Sequence, residues 1–170
     1  LPAGTFETST TIVKFGSRSL KVTSVNTQQI ANAGNAMGTG DFVRAVWMYD
    51  DGTTNPYYYF GIDPTTSPSA NAKLLGINFN TSATAYAYYD GSTWTATAVN
   101  RTTAWHHFQF RRVSGTLKMY IDDTEVYSAS ISANYQYFII VNNAHSADDP
   151  IIYFDRISSG YPTTGTWTSP

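Results

Sequence analysis

The chain contains no cysteine, which excludes a disulfide framework, a thiol nucleophile and any thiolate metal site. Charge is sparse: Asp, Glu, Lys and Arg make up 13% of the residues, and the formal net charge is −2. Nucleic acids and anionic membranes are held by clustered Lys and Arg. The only adjacent basic pair here is Arg111-Arg112, so neither is expected as a partner. No apolar run approaches the ~18 residues of a membrane-spanning helix. Sustained apolar spacing at i, i+3, i+4 and i+7 is missing as well, so helices are not expected. Glutamate is confined to Glu7 and Glu125.

What fills the 170 residues is aromatic and small polar: 15% aromatic, with 13 Tyr, and much Thr, Ser, Asn and Gly. Aromatic and β-branched residues suit pleated surfaces, while hydroxyl and amide side chains suit turns. The most informative stretch is Trp105–Ser128, WHHFQFRRVSGTLKMYIDDTEVYS. Phe108 and Phe110 alternate with Gln109 and Arg111, then Leu117, Met119 and Ile121 alternate with Lys118, Tyr120 and Asp122. Ser114-Gly115 and Asp122-Asp123 sit at the breaks. This is the pattern of three antiparallel strands with one buried and one wet face.

Similar runs predict strands at Thr5–Thr8, Ser19–Val25, Phe42–Tyr49, Tyr57–Ile62, Leu74–Asn80, Ala85–Tyr89, Thr95–Ala98, Thr124–Ser130, Tyr137–Asn142 and Ile151–Ser158. A dozen short strands in a chain of one-domain size point to an all-β fold of two packed antiparallel sheets, a sandwich or jelly roll. Thr27–Gly40 and Pro64–Lys73 read as long irregular loops. The chain begins at Leu1 and ends YPTTGTWTSP. The expectation is a module over 1–160, with 161–170 the start of a Thr/Pro linker to further domains.

Three segments carry a family resemblance. FETSTTIVKFGSRSLKVTS near the start resembles the opening strands of secreted carbohydrate-binding modules. WHHFQFRRVSGTLKMYIDDTEVYS is similar to the Trp-His, Gly-turn, Tyr-x-Asp pattern of the concanavalin A-like lectin/glucanase and laminin-G superfamily, with Asp123 where a turn glycine is usual. IIYFDRISSGY resembles the closing strand of such jelly rolls, with an Asp facing the first strand. The resemblance implies a concanavalin A-like jelly roll, commonly a glycan-binding module attached to a polysaccharide-degrading enzyme.

Glycan-cleaving members of that superfamily carry paired carboxylates on one strand, and glycoside hydrolysis needs two carboxyls at a defined separation. With two isolated glutamates, and Asp50-Asp51 and Asp148-Asp149 in turn contexts, no such pair is visible. A lyase would use His106 or His107 with Arg111 or Arg112 and a tyrosine, but the histidines follow Trp105 in the family-like strand and read as structural. The expectation is therefore a protein that is not an enzyme.

Sugar rings offer apolar C–H faces to Trp and Tyr and hydroxyls to polar side chains. Strand parity puts Tyr57 and Tyr59 on one face and Tyr58 and Phe60 on the other. The phenylalanine argues for the second pair inside and the first outside. Tyr86 and Tyr88 share a face that lines a concave surface in this reading, and Trp94 follows the Asp90-Gly91 turn as a loop-borne platform. Trp47, within FVRAVWMY, reads as core, and Trp105 as structural. The candidate ligand-binding residues are Tyr57, Tyr59, Tyr86, Tyr88 and Trp94.

The resemblance further implies a structural calcium held between the first and last strands, on Glu7 and Asp155 with Asp41 as a further oxygen donor. The alternative is that Asp155 caps a turn or meets Arg156 or Lys21. The function expected is a non-catalytic, secreted or surface carbohydrate-binding module with a polysaccharide or oligosaccharide as partner. An adhesive laminin-G-like domain and a small lyase or glycanase are the alternatives.

Overall fold

A computed structural model describes residues 4–24, 28–33, 37–54, 56–66, 69–143 and 151–160. The expected linker at 161–170 lies outside them. Thirteen strands form two antiparallel sheets and there is no helix among the described residues. The seven-stranded sheet contains β1 (Gly4–Ser9), β2 (Ser19–Ser24), β13 (Ile151–Gly160), β4 (Phe42–Asp50), β9 (Ala104–Val113), β10 (Thr116–Ile121) and β11 (Thr124–Ser130), in that spatial order. The six-stranded sheet runs β3 (Gln28–Ala33), β12 (Tyr137–Asn143), β5 (Tyr57–Asp63), β6 (Lys73–Asn78), β7 (Ala85–Tyr89) and β8 (Trp94–Asn100). Strand β3 falls within the stretch expected to be irregular. Its sequence, QQIANA, carries no alternation, and its pairing with β12 rests on the backbone ladder.

The two hairpins read from the sequence form as expected. Ser114 and Gly115 have φ of 49° and 78°, and Asp122 and Asp123 have 46° and 63°. Two successive left-handed residues make the tight turn whose twist matches the flanking strands. Asp122 also earns its place through its carboxylate, which accepts from His107 N at 2.8 Å and contacts His106 Nδ1 at 2.6 Å.

The core lies between the sheets, with Phe60 at its centre. Its ring meets Phe108, Phe154 and Phe110 edge-on and Phe138 at a tilt, with centroids 5.0, 5.8, 6.3 and 6.1 Å away. Tyr58 and Phe60 face this interior, the placement for which the phenylalanine argued. At one end Asp50, closing β4, takes a two-pronged pair from Arg101, which follows β8: Nε to Oδ2 at 2.8 Å and Nη2 to Oδ1 at 2.9 Å. The Tyr86 hydroxyl donates to Asp50 Oδ2 at 3.1 Å. This buried cluster fastens one sheet to the other.

Candidate functional site

The outer face of the seven-stranded sheet is organised by β9. His106, Phe108, Phe110 and Arg112 are buried toward the interior, leaving Trp105, His107, Gln109 and Arg111 on the opposite side. Register places Tyr49 beside Trp105, Trp47 beside His107, Ala45 beside Gln109 and Val43 beside Arg111. On the other flank Tyr120 lies beside Gln109 and Lys118 beside Arg111. Strand β13 extends the face with Tyr153 beside Tyr49 and Asp155 beside Trp47.

The result is a band of rings interleaved with hydrogen-bonding groups. Trp47 stacks on His107 with centroids 4.9 Å apart, Tyr49 tilts against Trp105 at 5.6 Å, and Tyr153 meets Tyr49 edge-on at 6.5 Å. Trp47, Tyr49, Trp105 and Tyr153 are half-buried, so part of each ring remains open to solvent. One side of the band is walled by residues 10–18. Phe15 meets Trp47 edge-on at 5.7 Å, Lys14 Nζ sits 4.5 Å over the Trp47 ring, and the Arg156 guanidinium lies 4.6 Å over Phe15. Asp155 anchors this wall, its Oδ2 accepting from Lys14 N at 3.0 Å and Phe15 N at 2.9 Å.

Burial pushes the His107 pKa below its ordinary value, which favours the uncharged ring. The Tyr120 phenol is pushed up by burial and by Glu125, which opposes formation of a phenolate.

His106 behaves in the opposite sense. Burial opposes its charge, but the Asp122 hydrogen bond and the Thr102 carbonyl outweigh that and raise its pKa overall. Burial likewise opposes charge on Asp122, but the contacts with His106 and His107 N hold its pKa down overall. A histidine raised on folding contributes stability that is complete below its unfolded value near 6.5 and is lost as pH rises through the folded value. A lowered Asp contributes above about 3.9. The window is therefore about pH 4–6.5. His107, lowered, works the other way in acid. The measurement is thus the difference between wild type and H106Q in urea unfolding, expected to widen by roughly 0.5–1 kcal/mol from pH 8 to pH 6. A gap independent of pH would remove the ion pair from the account.

The residues singled out in the sequence lie elsewhere. Tyr57 and Tyr59 are on the outer side of the six-stranded sheet, as the inward choice for Phe60 implied, but are only 8% and 9% exposed. Asp63 accepts from Thr65 N and Ser69 N, both at 2.7 Å. The loop it holds carries Ala72 into a second apolar cluster with Tyr59, Leu74, Ile139 and Val141. Tyr86 is a correction: it is fully buried between the sheets, because its phase on β7 is the inward one. Tyr88 shares that phase and packs half-buried against the core and Tyr127 rather than lining an open face. Trp94 opens β8 and meets Tyr59 and Tyr89 at 5.2 and 5.5 Å. With Ser69, Ala70 and Leu74 these three rings line a groove of about 310 Å³.

Trp47 is a second correction. The core phase of β4 is Phe42, Val46 and Met48, which leaves Trp47 and Tyr49 outward. The signal was present in the alternation of Trp105, His107, Gln109 and Arg111. What was missing was the knowledge that β4 and β13 supply the neighbours.

The three carboxylates expected to hold calcium do not come together. Strand β2 lies between β1 and β13, so the terminal strands do not pair. Glu7 is bridged to Lys21 at 2.7 Å. Asp155 is occupied by two backbone N–H groups, the turn-capping alternative. Asp41 accepts from Ser114 N at 2.8 Å. It lies six residues before Trp47, the partner of Asp155, or about 20 Å along the strand. Among the described residues no group of three His, Asp or Glu is placed to hold a metal ion.

No family model matches the sequence, and no curated protein matches it either. Solved structures do match. Cip1, described as a cellulose-induced protein, is 18% identical, with 97% of this chain and 89% of that one covered and a TM-score of 0.68. An endo-β-1,4-glucuronan lyase from the fungus Trichoderma reesei is 14% identical, with coverages of 94% and 87% and a TM-score of 0.60. The carbohydrate-binding module CBM66 from Bacillus subtilis is 13% identical, with coverages of 93% and 95% and a TM-score of 0.53. At such identities the likeness is one of fold. The chain shares with these structures a fold of two packed antiparallel sheets, a jelly roll.

Proposed function

We propose that this domain is a non-catalytic carbohydrate-binding module and that its ligand lies on the outer face of the seven-stranded sheet. The observation that carries the reading is the band Tyr153, Tyr49, Trp105, Trp47 and His107, continued by Gln109, Arg111 and Tyr120 on the face of the seven-stranded sheet turned away from the core. Half-open rings offer stacking surfaces to sugar C–H faces, and the Gln109 amide, Arg111 guanidinium and Tyr120 phenol offer hydrogen bonds to hydroxyls. The groove at Tyr59, Tyr89 and Trp94, with Ser69 in its lining, is the competing site.

Several placements support a binding rather than a cleaving role. Glu7 and Glu125 are each paired to a lysine, Asp50 is locked to Arg101, and Asp155 holds backbone N–H groups. None is a free carboxyl poised for acid or base work. The domain would act outside the cell, keeping a polysaccharide near covalently linked partner domains by raising its effective concentration.

Affinity electrophoresis across plant, fungal and algal polysaccharides checks this. Tyr49→Ala and Tyr153→Ala are expected to weaken retardation about tenfold, which is about 1.4 kcal/mol, while Trp94→Ala leaves it unchanged. Loss on Trp94→Ala alone would move the site to the six-stranded sheet. Failure of every glycan to retard the protein would leave the adhesive reading. Release of reducing ends or of unsaturated uronate absorbance would replace binding with catalysis.

A further inference from the structure

One end of the ring band differs in chemistry from the rest. Arg111, Val113, Thr116, Lys118 and Tyr120 line a pocket of about 260 Å³ beside the β9–β10 turn. Arg111 and Lys118 are direct cross-strand partners, so two cations lie side by side on a protein whose net charge is −2. Like charges placed opposite each other on a sheet repel, and such an arrangement calls for a counter-charge. Only part of it is present. Glu125 Oε2 takes the Lys118 ammonium at 2.8 Å and the Tyr120 hydroxyl at 3.3 Å. Asp41, near the turn, accepts from Ser114 N. Among the described residues the Arg111 guanidinium has neither a hydrogen bond nor an ion pair.

The apolar lining is suited to a ring. Val113 is more than a third exposed, and Tyr120 is half-buried beside Gln109. The pocket is continuous with the band: Arg111 is on the same phase of β9 as Gln109, His107 and Trp105, six residues and about 20 Å from the last of these. A chain laid along β9 over the tryptophans would therefore end with one residue at Arg111.

We infer that this pocket is an acidic-sugar subsite, taking the carboxylate of a uronate residue on Arg111 while Val113 and Tyr120 meet the ring. A guanidinium presents two parallel N–H donors that match a planar carboxylate, which a lysine ammonium does not. The preferred ligand would be a polyuronate rather than a neutral glycan. This rests on the glycan-binding reading above, and names the substrate class for the same face.

The test compares the whole domain on a polyuronate and on the same polymer with its carboxyls reduced to alcohols, at low and at physiological salt. The polyuronate is expected to bind about tenfold more tightly, about 1.4 kcal/mol, with the preference shrinking as salt rises. R111Q is expected to erase the preference while keeping affinity for the reduced polymer, and R111K to restore part of it. K118Q, which releases Glu125 beside the pocket, is expected to lower uronate affinity as well. Unchanged melting of each variant shows that it is folded. Equal binding of the two polymers by wild type would overturn the inference and leave the proposed function intact, whereas binding of neither would remove both. A sulfated neutral glucan bound as tightly as the uronate and equally sensitive to R111Q would replace carboxylate recognition by charge alone, and so overturn it too.

Discussion

Replacing Asp50 with alanine is expected to cost about 3–5 kcal/mol, the range for removing one partner of a buried ion pair. The carboxylate is 1% exposed and serves four groups at once. Arg101 reaches it through Nε and Nη2, Tyr86 donates its hydroxyl, and Gly52 N donates to Oδ1 at 2.9 Å. Without Asp50 the Arg101 charge stays in place, since Nη2 also holds the Thr53 carbonyl at 3.1 Å and Nη1 the Ala83 carbonyl at 3.1 Å. An unpaired buried cation and an unpaired phenol are then both left behind. Because total stability of such domains is only about 5–15 kcal/mol, the variant should sit near its unfolding transition at ambient temperature. Urea unfolding followed by tryptophan fluorescence checks this. Tyr86→Phe, which removes one hydrogen bond and strands no charge, should cost about 1 kcal/mol. An Asp50→Ala cost no larger than that of Tyr86→Phe would show that the pair is solvated and carries little.

The cluster also shows what alternation conveys and what it does not. The hairpins of β9, β10 and β11 were legible because each strand alternates cleanly and each break holds residues that tolerate left-handed backbone. The inward placement of Tyr58 and Phe60 followed from the same parity, with phenylalanine deciding the phase. In β4 parity was ambiguous. FVRAVWMY is apolar at nearly every position, and Arg44 shares the inward phase of Phe42 and Val46, so the one charged residue pointed the wrong way. Trp47 reads as core from the apolar run alone. For Tyr86 and Tyr88 the phase was equally open, and only the packing of β7 against Phe108 and Tyr127 fixes it.

Strand order is a further kind of information that period-two patterning does not contain. The calcium expectation needed β1 next to β13, and β2 intervenes. The ring band needed β13, β4 and β9 side by side, which joins residues 153, 49 and 105 from three distant parts of the sequence. Each of these aromatics is ordinary alone. Their function, on the reading offered here, arises from register between strands that are not neighbours in sequence.

The second large effect tests the scaffold beneath that face. Phe60→Ala is expected to cost about 3–5 kcal/mol, without touching any residue of the ring band. Phe60 is completely buried and contacts Phe108 and Phe110 of the seven-stranded sheet together with Phe138 of its own. Its loss removes a large apolar transfer term, the edge-to-face contacts, and the packing that keeps the two sheets in register. A cavity between two sheets cannot close by a side-chain rotation, because both walls are tied by backbone ladders, so relaxation should recover little. Phe60→Leu fills most of the space and should cost substantially less. Phe108 and Phe110 lie on the inward phase of the same strand that presents His107, Gln109 and Arg111. Glycan affinity of the folded fraction of Phe60→Ala, measured below its melting point, is therefore expected to fall only if the sheet distorts. An unfolding cost of 1 kcal/mol or less would place the structural centre of the sandwich elsewhere and weaken the view that β9 is held rigid from beneath.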